Sequence, residues 1–232
     1  EYNCDIVDCR MMRDYPNGRT YIYHKMPNRL DAEEKSIMEG GTHWIDRFGE
    51  EGYGGGVVTG LYKKELLLKS GVKFPEKILY EDNYWVAILM LYVKRYFHLA
   101  EDLYHYRQRE DSTVHKKNAM HHVDRLAIEE MKLKTYHDLH IYERYREIIE
   151  QDFLREYYCR TLLTMLVKYD NSPYDVFCHM NRRVMELYPD YKKTELAQNE
   201  GIGKILLGLI DRDLDEVQFM EIKKIILSYY GR

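Results

Sequence analysis

Two adjacent carboxylates, Glu81 and Asp82, are the residues whose types and spacing could carry acid–base chemistry. The apolar residues after them predict a helix over residues 83–95, so the pair would stand at a helix start. A positioned carboxylate can take a proton from a reacting group, and adjacent acids can raise one another's pKa. From spacing alone, however, a cap favoured by the helix dipole explains the pair better.

A second group with chemical potential, Arg107, Arg109 and His115, follows a predicted strand region at residues 96–107. Guanidinium groups match the geometry of phosphate oxygens, and imidazole is a common metal ligand. A solvated polar loop explains each of these side chains at least as well when they are considered singly.

The composition excludes only extreme classes of protein. A net charge of -4 argues against a general nucleic-acid binder, although 35 Lys and Arg residues leave room for local sites for diphosphate or anionic lipid. The four cysteines lack the spacing of a zinc site or of a secreted disulfide scaffold, which predicts a cytoplasmic setting. The longest apolar stretches, such as residues 205–210, are far shorter than the about 20 residues that cross a bilayer.

The first part of the chain has local signals for strands and tight turns. Residues 5–12 and 19–25 are separated by Pro16-Asn17-Gly18, which predicts a β-hairpin. Asp31 with Glu34 predicts a capping box at the start of a short helix.

Helices alternate with strands up to about residue 118. Residues 62–70 and 83–95 suit helices, and residues 96–107 suit strands around a turn at Ala100-Glu101-Asp102. The pattern predicts an α/β domain over residues 1–118.

After residue 118 the strand signals fade, which predicts an all-α domain over residues 119–232 and an α-rich chain overall. Apolar side chains recur every three or four residues, as at Ile149 and Phe153, and Asp213 with Glu216 predicts another capping box. The predicted helical segments are 119–138, 141–169, 173–187, 200–211 and 214–230.

Tyrosine is unusually frequent, with 23 residues, many of them on these amphipathic segments. A tyrosine can bury its ring and keep its hydroxyl wet, which suits core packing, a partner interface such as a homo-oligomer, or a membrane surface. The adjacent His121 and His122 would point about 100° apart on a helix and could not easily share a metal ion. We expect them on a solvated helix face.

One ordered set of residues resembles a known family. Leu-Tyr-Lys-Lys-Glu-Leu-Leu at 61–67 leads through Phe74-Pro75-Glu76 to Glu81-Asp82, then to Tyr106-Arg107 and Ser112. This order resembles the acceptor half of an inverting family-2 glycosyltransferase. The resemblance covers residues 1–118, and its specificity lies in the order of the elements rather than in any one of them.

The resemblance implies a partial GT-A-like mixed sheet and a site for sugar transfer from a nucleotide-sugar donor to a glycan or lipid-linked acceptor. Asp82 would be the general base and Glu81 would orient the acceptor or the base. Arg107 and Arg109 would bind the donor diphosphate, and His115 would be a metal ligand for a divalent cation, Mg²⁺ or Mn²⁺. Such bacterial enzymes build surface polysaccharides in the cytoplasm, and contact with the inner face of the membrane fits a lipid-linked acceptor.

The family also has a nucleotide-binding half with an Asp-x-Asp metal motif, and nothing in this chain, which begins at Glu1, supplies that half. We therefore expect a fragment that is inactive alone. One alternative is a non-catalytic interaction protein that retains a degenerate glycosyltransferase-like segment. A hydrolase using Glu81 and Asp82 is a weaker alternative, because adjacent residues at a helix start seldom face one bond from two sides.

Overall fold

The computed structural model describes two compact units. The residues it describes are 2–23, 26–41, 57–109, 112–113 and 116–230. Unit 1 comprises the described parts of residues 1–77 and 81–115, and unit 2 comprises residues 78–80 with the described parts of 116–232.

Unit 1 is built on a mixed β-sheet. Its strands are β1 (Ile6–Asp14), β2 (Thr20–Tyr23), β3 (Arg29–Ala32), β4 (Gly60–Tyr62) and β5 (Arg95–Arg107). The order across the sheet is β2-β1-β5-β3, and β4 also pairs with β1. β1 and β5 run parallel, whereas the other pairs are antiparallel. The α/β pattern predicted for this part of the chain is confirmed.

The predicted hairpin is also confirmed. β1 pairs with β2 from Met11 opposite Tyr23 to Asp14 opposite Thr20. Gly18 in the connecting turn has a φ of 78°, a left-handed conformation that glycine adopts without a steric penalty.

The short helix predicted to start at Asp31 is not present. Asp31 lies in β3 instead, opposite Tyr96, and its carboxylate pairs with Arg29 at 3.1 Å. The helical turn comes later, at Ile37–Glu39, where the Glu39 carboxylate accepts the backbone N–H of Ser36 at 3.4 Å. Pairing with a distant strand outweighed the local capping pattern.

The turn predicted at residues 100–102 is wrong as well, because β5 is continuous there. The register with β1 shifts from Cys9 opposite Leu99 to Arg10 opposite Asp102. The extra residues of β5 are absorbed in a bulge, and the Arg10 guanidinium lies 3.0 Å from the Asp102 carboxylate just beyond it.

Two helices accompany the sheet in the described part of unit 1: α1 spans Lys64–Ser70 and α2 spans Glu81–Met90. The predicted helix over 83–95 therefore begins earlier and ends earlier than expected, and the one over 62–70 begins two residues late because Tyr62 belongs to β4. After α2 ends, the Asp5 Oδ2 accepts the backbone N–H groups of Lys94 and Arg95 at 2.9 and 3.0 Å. These bonds start β5 beside β1.

Unit 2 is helical, as predicted. Its helices are α3 (Asp124–Asp138), α4 (Arg146–Phe153), α5 (Thr161–Lys168), α6 (Tyr174–Leu187), α7 (Glu195–Gln198), α8 (Ile202–Leu207) and α9 (Glu216–Tyr230). A π-helical stretch, Leu154–Arg160, joins α4 to α5. Each predicted helical segment contains at least one of these helices.

The core of unit 2 contains buried tyrosine rings, and the hydroxyls of two of them, Tyr158 and Tyr169, bond inside the protein. Tyr157 and Tyr158 are adjacent and both fully buried, since the π-helical stretch turns two neighbouring side chains inward. The Tyr158 hydroxyl donates to Asn181 Oδ1 at 2.6 Å, and the Tyr169 hydroxyl donates to the Ala119 carbonyl at 2.7 Å. The rings of Tyr158 and Tyr169 therefore serve core packing.

His122 contradicts the expected solvated face. It is 1% exposed, and its Nε2 lies 2.5 Å from the Lys116 carbonyl oxygen. The ring also packs edge-on against Tyr169. A local hydrogen-bond acceptor and an aromatic neighbour compensate for the loss of hydration.

Candidate functional site

Glu81 and Asp82 form the first turn of α2. Asp82 is exposed and Glu81 is half-buried. The Asp82 Oδ1 accepts the backbone N–H of Asn83 at 2.9 Å, and no ion pair to either carboxylate is found in the described part of the chain. The partial positive charge of a helix N-terminus favours a carboxylate here. Asp82 is therefore a carboxylate that a ligand can reach.

An aromatic cluster holds the start of α2 in place. The Trp85 ring stacks on Phe74, with centroids 4.8 Å apart, and meets the Tyr62 ring edge-on at 5.2 Å. Trp85 is 6% exposed. Aromatic pairs in these geometries add to the stability that burial provides, so the cluster fixes the turn that carries Asp82.

The approach to α2 uses unusual backbone. Lys77 and Tyr80 have φ values of 60° and 65°, the left-handed region that residues with a Cβ rarely adopt. Each such residue costs of order 1–2 kcal/mol, and such strain often accompanies functional sites.

The two arginines lie at the far end of β5. Arg107 is the last residue of the strand and Arg109 follows it in the loop, both exposed. No carboxylate partner for either is found among the residues described. Arg107 is nine residues beyond His98 on β5, roughly 30 Å along an extended strand. No described contact joins the arginines to Asp82, and His115 lies outside the described residues.

Sequence reasoning missed a cluster of buried polar side chains on the sheet. Asp8 and His98 are opposite each other on β1 and β5, each 4% exposed, and Asp8 Oδ1 lies 2.8 Å from His98 Nδ1. Burial raises the pKa of Asp8, while hydrogen bonds from Tyr96 and His98 oppose that rise. Burial and the Asp8 charge raise the pKa of Tyr62 to about 12.

This cluster connects the sheet to the helix that bears the carboxylates. Asp8 and His98 fix the register of β1 and β5, and Tyr62 next to them contacts Trp85 of α2. His98 Nε2 is buried without a hydrogen-bond partner among the described residues. The sequence held one signal for this cluster. Asp8 comes two positions after the apolar Ile6, and alternate residues of a strand lie on the same face of a sheet.

A second buried group of charges lies within unit 2. The Lys132 ammonium lies 2.7 Å from Glu129 Oε2 and 2.9 Å from Asp152 Oδ2. Glu129 and Lys132 are 2% and 6% exposed. Burial raises the pKa of Glu129 to about 7, although Lys132 opposes the rise.

Comparison with known proteins adds no family to these observations, since neither protein-family models nor curated proteins match the chain. Within the described ranges, no three His, Cys, Asp or Glu side chains are grouped so that they could hold a metal ion. In the same ranges, no helix has the length and apolar character needed to span a membrane.

Proposed function

We propose that this chain is the acceptor-side part of an inverting, nucleotide-sugar-dependent glycosyltransferase with a GT-A-like sheet. The observation that carries the proposal is the exposed Asp82, which has no ion-pair partner among the described residues and is held by an aromatic cluster at a helix start. The ordered set of residues between 61 and 112 that resembles the family supports glycosyl transfer as the reaction. The products would be surface glycans made in the cytoplasm.

In this mechanism Asp82 takes the proton of the acceptor hydroxyl as that oxygen attacks the sugar. A bond forms between the acceptor oxygen and the anomeric carbon, and the bond from that carbon to the donor phosphate breaks. The electron pair leaves with the nucleoside diphosphate, and in-line attack inverts the anomeric centre. Glu81, half-buried beside Asp82, would orient the acceptor or the base.

Arg107 and Arg109 would bind the diphosphate as it leaves, since guanidinium groups donate to phosphate oxygens in pairs. Both are exposed and have no carboxylate partner in the described part of the chain, so their donors are open to a ligand. The arginines lie at the end of β5 and Asp82 at the start of α2, so the bound donor and acceptor would have to connect the two places.

The residues described do not fit the divalent cation that the resemblance implies. Asp211 and Asp213 have Asp-x-Asp spacing, but they lie in helical unit 2 and Asp211 is paired with Lys192. Asp215 repeats the spacing and is used as a helix cap.

The test is Asp82→Asn in the natural gene product, supplied with UDP-, GDP- and dTDP-linked hexoses and a lipid and glycan extract of the source cells. Removing a general base should lower the release of nucleoside diphosphate by about 10²–10⁴-fold. Donor binding, measured by titration calorimetry, should change little because Asp82 acts on the acceptor.

Asp175→Asn is the matched control, because Asp175 is also an exposed carboxylate in the first turn of a helix, α6. It should leave turnover unchanged. Near-normal turnover of the Asp82→Asn protein would remove Asp82 from its proposed role.

A helical interaction protein with a degenerate glycosyltransferase-like segment is the second candidate. One observation favours it: α9 exposes Val217, Ile225 and Tyr229 at 69%, 58% and 77%. Such a stripe suits contact with a second copy of the chain. A stable oligomer by sedimentation equilibrium, together with no affinity for any nucleotide sugar in the natural gene product, would favour this candidate over the enzyme.

A further inference from the structure

A cleft of about 400 Å³ lies in unit 1 at the end of the sheet opposite Arg107. Its wall includes three lysines and two acidic residues, together with Leu66 and Tyr92; the charged residues are Lys63, Lys69, Lys94, Asp5 and Glu65. The lysines come from the start of α1, its last turn and the residue before β5. Segments distant in sequence therefore bring three lysines to the wall of one cleft.

One carboxylate already bridges two of these lysines. Glu39 Oε1 lies 2.7 Å from Lys69 Nζ, and Glu39 Oε2 lies 2.7 Å from Lys94 Nζ. Hydrogen bonds from Lys69 and then Lys94 lower the pKa of Glu39 to about 2. The two ammonium groups thus define a position that an anion occupies.

The third lysine is held less firmly. Lys63 Nζ lies 3.4 Å from Asp5 Oδ1 and donates to the Asn3 carbonyl at 3.0 Å. Asp5 also accepts two backbone N–H groups through its other oxygen. Asp5 is therefore a fixed structural acceptor, and it neutralises Lys63 only across a long contact.

The Glu39 bridge can be exchanged, at the cost of the 3.4 Å bond from the Ser36 N–H to Glu39 Oε2. Its three side chains are between 33% and 54% exposed, and ion pairs with this exposure contribute little stability because water competes with them. A phosphate group carries more charge than a carboxylate and has three oxygens, so it can engage three ammonium groups at once. Leu66 and Tyr92 would contact the group attached to the phosphate.

We propose that this cleft binds a phosphate or diphosphate group, which displaces Glu39 as the common partner of Lys69 and Lys94 and also reaches Lys63. Glu39 is then an internal competitor that keeps the site closed to weak anions. The proposal does not depend on glycosyl transfer, because the cleft and Arg107 are at opposite ends of a 13-residue strand.

Titration of the full chain with inorganic pyrophosphate, by calorimetry and by ³¹P NMR, tests the proposal. Glu39→Gln should bind pyrophosphate roughly fivefold more tightly than the unmodified chain, because the competing charge is gone. Lys69→Gln and Lys94→Gln should each bind roughly tenfold more weakly, because each loses a charged donor.

Lys134→Gln is the matched control, since Lys134 is an exposed lysine paired with Asp138 in unit 2; it should leave the affinity unchanged. Circular dichroism of each variant verifies folding, and Lys69, the most exposed of the three residues in the bridge, provides the variant least able to disturb the fold. Equal affinity of the Glu39→Gln, Lys69→Gln and unmodified proteins would overturn the proposal.

A second arm distinguishes a free phosphate compound from a lipid headgroup. Vesicles of phosphatidylcholine with phosphatidic acid are compared with phosphatidylcholine alone. Vesicle binding that pyrophosphate displaces would assign the cleft to a lipid phosphate, and pyrophosphate binding without vesicle binding would assign it to a soluble phosphate compound. Absence of binding in both arms would overturn the proposal.

Discussion

Lys132 pairs with two carboxylates at once inside unit 2. Glu129 and Asp152 both lie within 3 Å of its ammonium, and the partly exposed Asp152 also lies 3.8 Å from the Arg155 guanidinium. Arg125 and Glu156 also act on this group through their charges. The most buried acid, Glu129, should take up a proton most readily, because burial disfavours its charged form.

This arrangement predicts a pH-dependent stability. The pKa of Glu129 is raised from 4.5 to about 7 in the folded protein. Its contribution should be fully present below pH 4.5 and should be lost as the pH rises through about 7, because the unfolded chain releases the proton more easily. Urea unfolding between pH 4.5 and 8 should show the free energy of unfolding falling relative to that of Glu129→Gln.

Glu147→Gln provides the comparison, since Glu147 is an exposed carboxylate on the neighbouring helix α4. The free energy of unfolding of Glu147→Gln should differ from that of the unmodified chain by a constant amount over the same pH range. A constant difference for Glu129→Gln as well would mean that Glu129 is ionised throughout.

At the scale of elements, the sequence pattern placed the N-terminal cap of α9 two residues too early. Asp213 and Glu216 have capping-box spacing, but the reciprocal bonds are made two residues later. The Gln218 N–H donates to Asp215 Oδ1 at 2.8 Å, and the Asp215 N–H donates to Gln218 Oε1 at 3.0 Å. Asp213 with Glu216 and Asp215 with Gln218 both have the spacing of a capping box, so the sequence alone could not choose between them.

Asp215→Ala should therefore lower the free energy of unfolding by about 1 kcal/mol, the usual cost of losing an N-cap. Asp213→Ala should change it by only a few tenths, because surface positions without such a role tolerate substitution. Urea unfolding followed by circular dichroism measures both. A larger loss for Asp213→Ala would place the cap where the sequence pattern first suggested.

The helices of unit 2 and the first hairpin were predictable because their signals are local. A 3.6-residue period and an Asn17-Gly18 turn need no knowledge of distant residues. The start of β5 and its bulge were not, since they depend on pairing with Asp5 and with β1, about 90 residues earlier in the chain.

The candidate site also has features that were predictable from the sequence and features that were not. The position of Glu81 and Asp82 at a helix start follows from the apolar residues after them. The Asp8–His98 pair and the bridge from Glu39 to Lys94 join residues far apart in the sequence. No periodicity or motif reports such contacts, because they are created by the sheet topology.

At the scale of the whole molecule, the chain passes from unit 1 to unit 2 and back within a few residues. Residues 78–80 group with unit 2, where the Leu79 N–H donates to Asp124 Oδ2 at 3.0 Å and the Arg125 guanidinium lies 4.3 Å above the Tyr80 ring. α2 then begins at Glu81 in unit 1. Each unit nevertheless has its own buried core.

Separate cores predict separate unfolding transitions, and the chain supplies a probe for each. Its two tryptophans are residues 44 and 85, so unit 2 has none. Tryptophan fluorescence should therefore follow unit 1, while far-ultraviolet circular dichroism should follow mainly the helices of unit 2. Lys132→Met, which leaves the buried Glu129 carboxylate without the ammonium that it pairs with, should destabilise unit 2 by about 3–5 kcal/mol.

At pH 8, urea unfolding of Lys132→Met should shift the circular dichroism midpoint and leave the fluorescence midpoint where it is. Lys134→Met removes the exposed pair with Asp138 and should move neither midpoint by more than a small amount. If both signals of Lys132→Met shift together, the units unfold as one cooperative body.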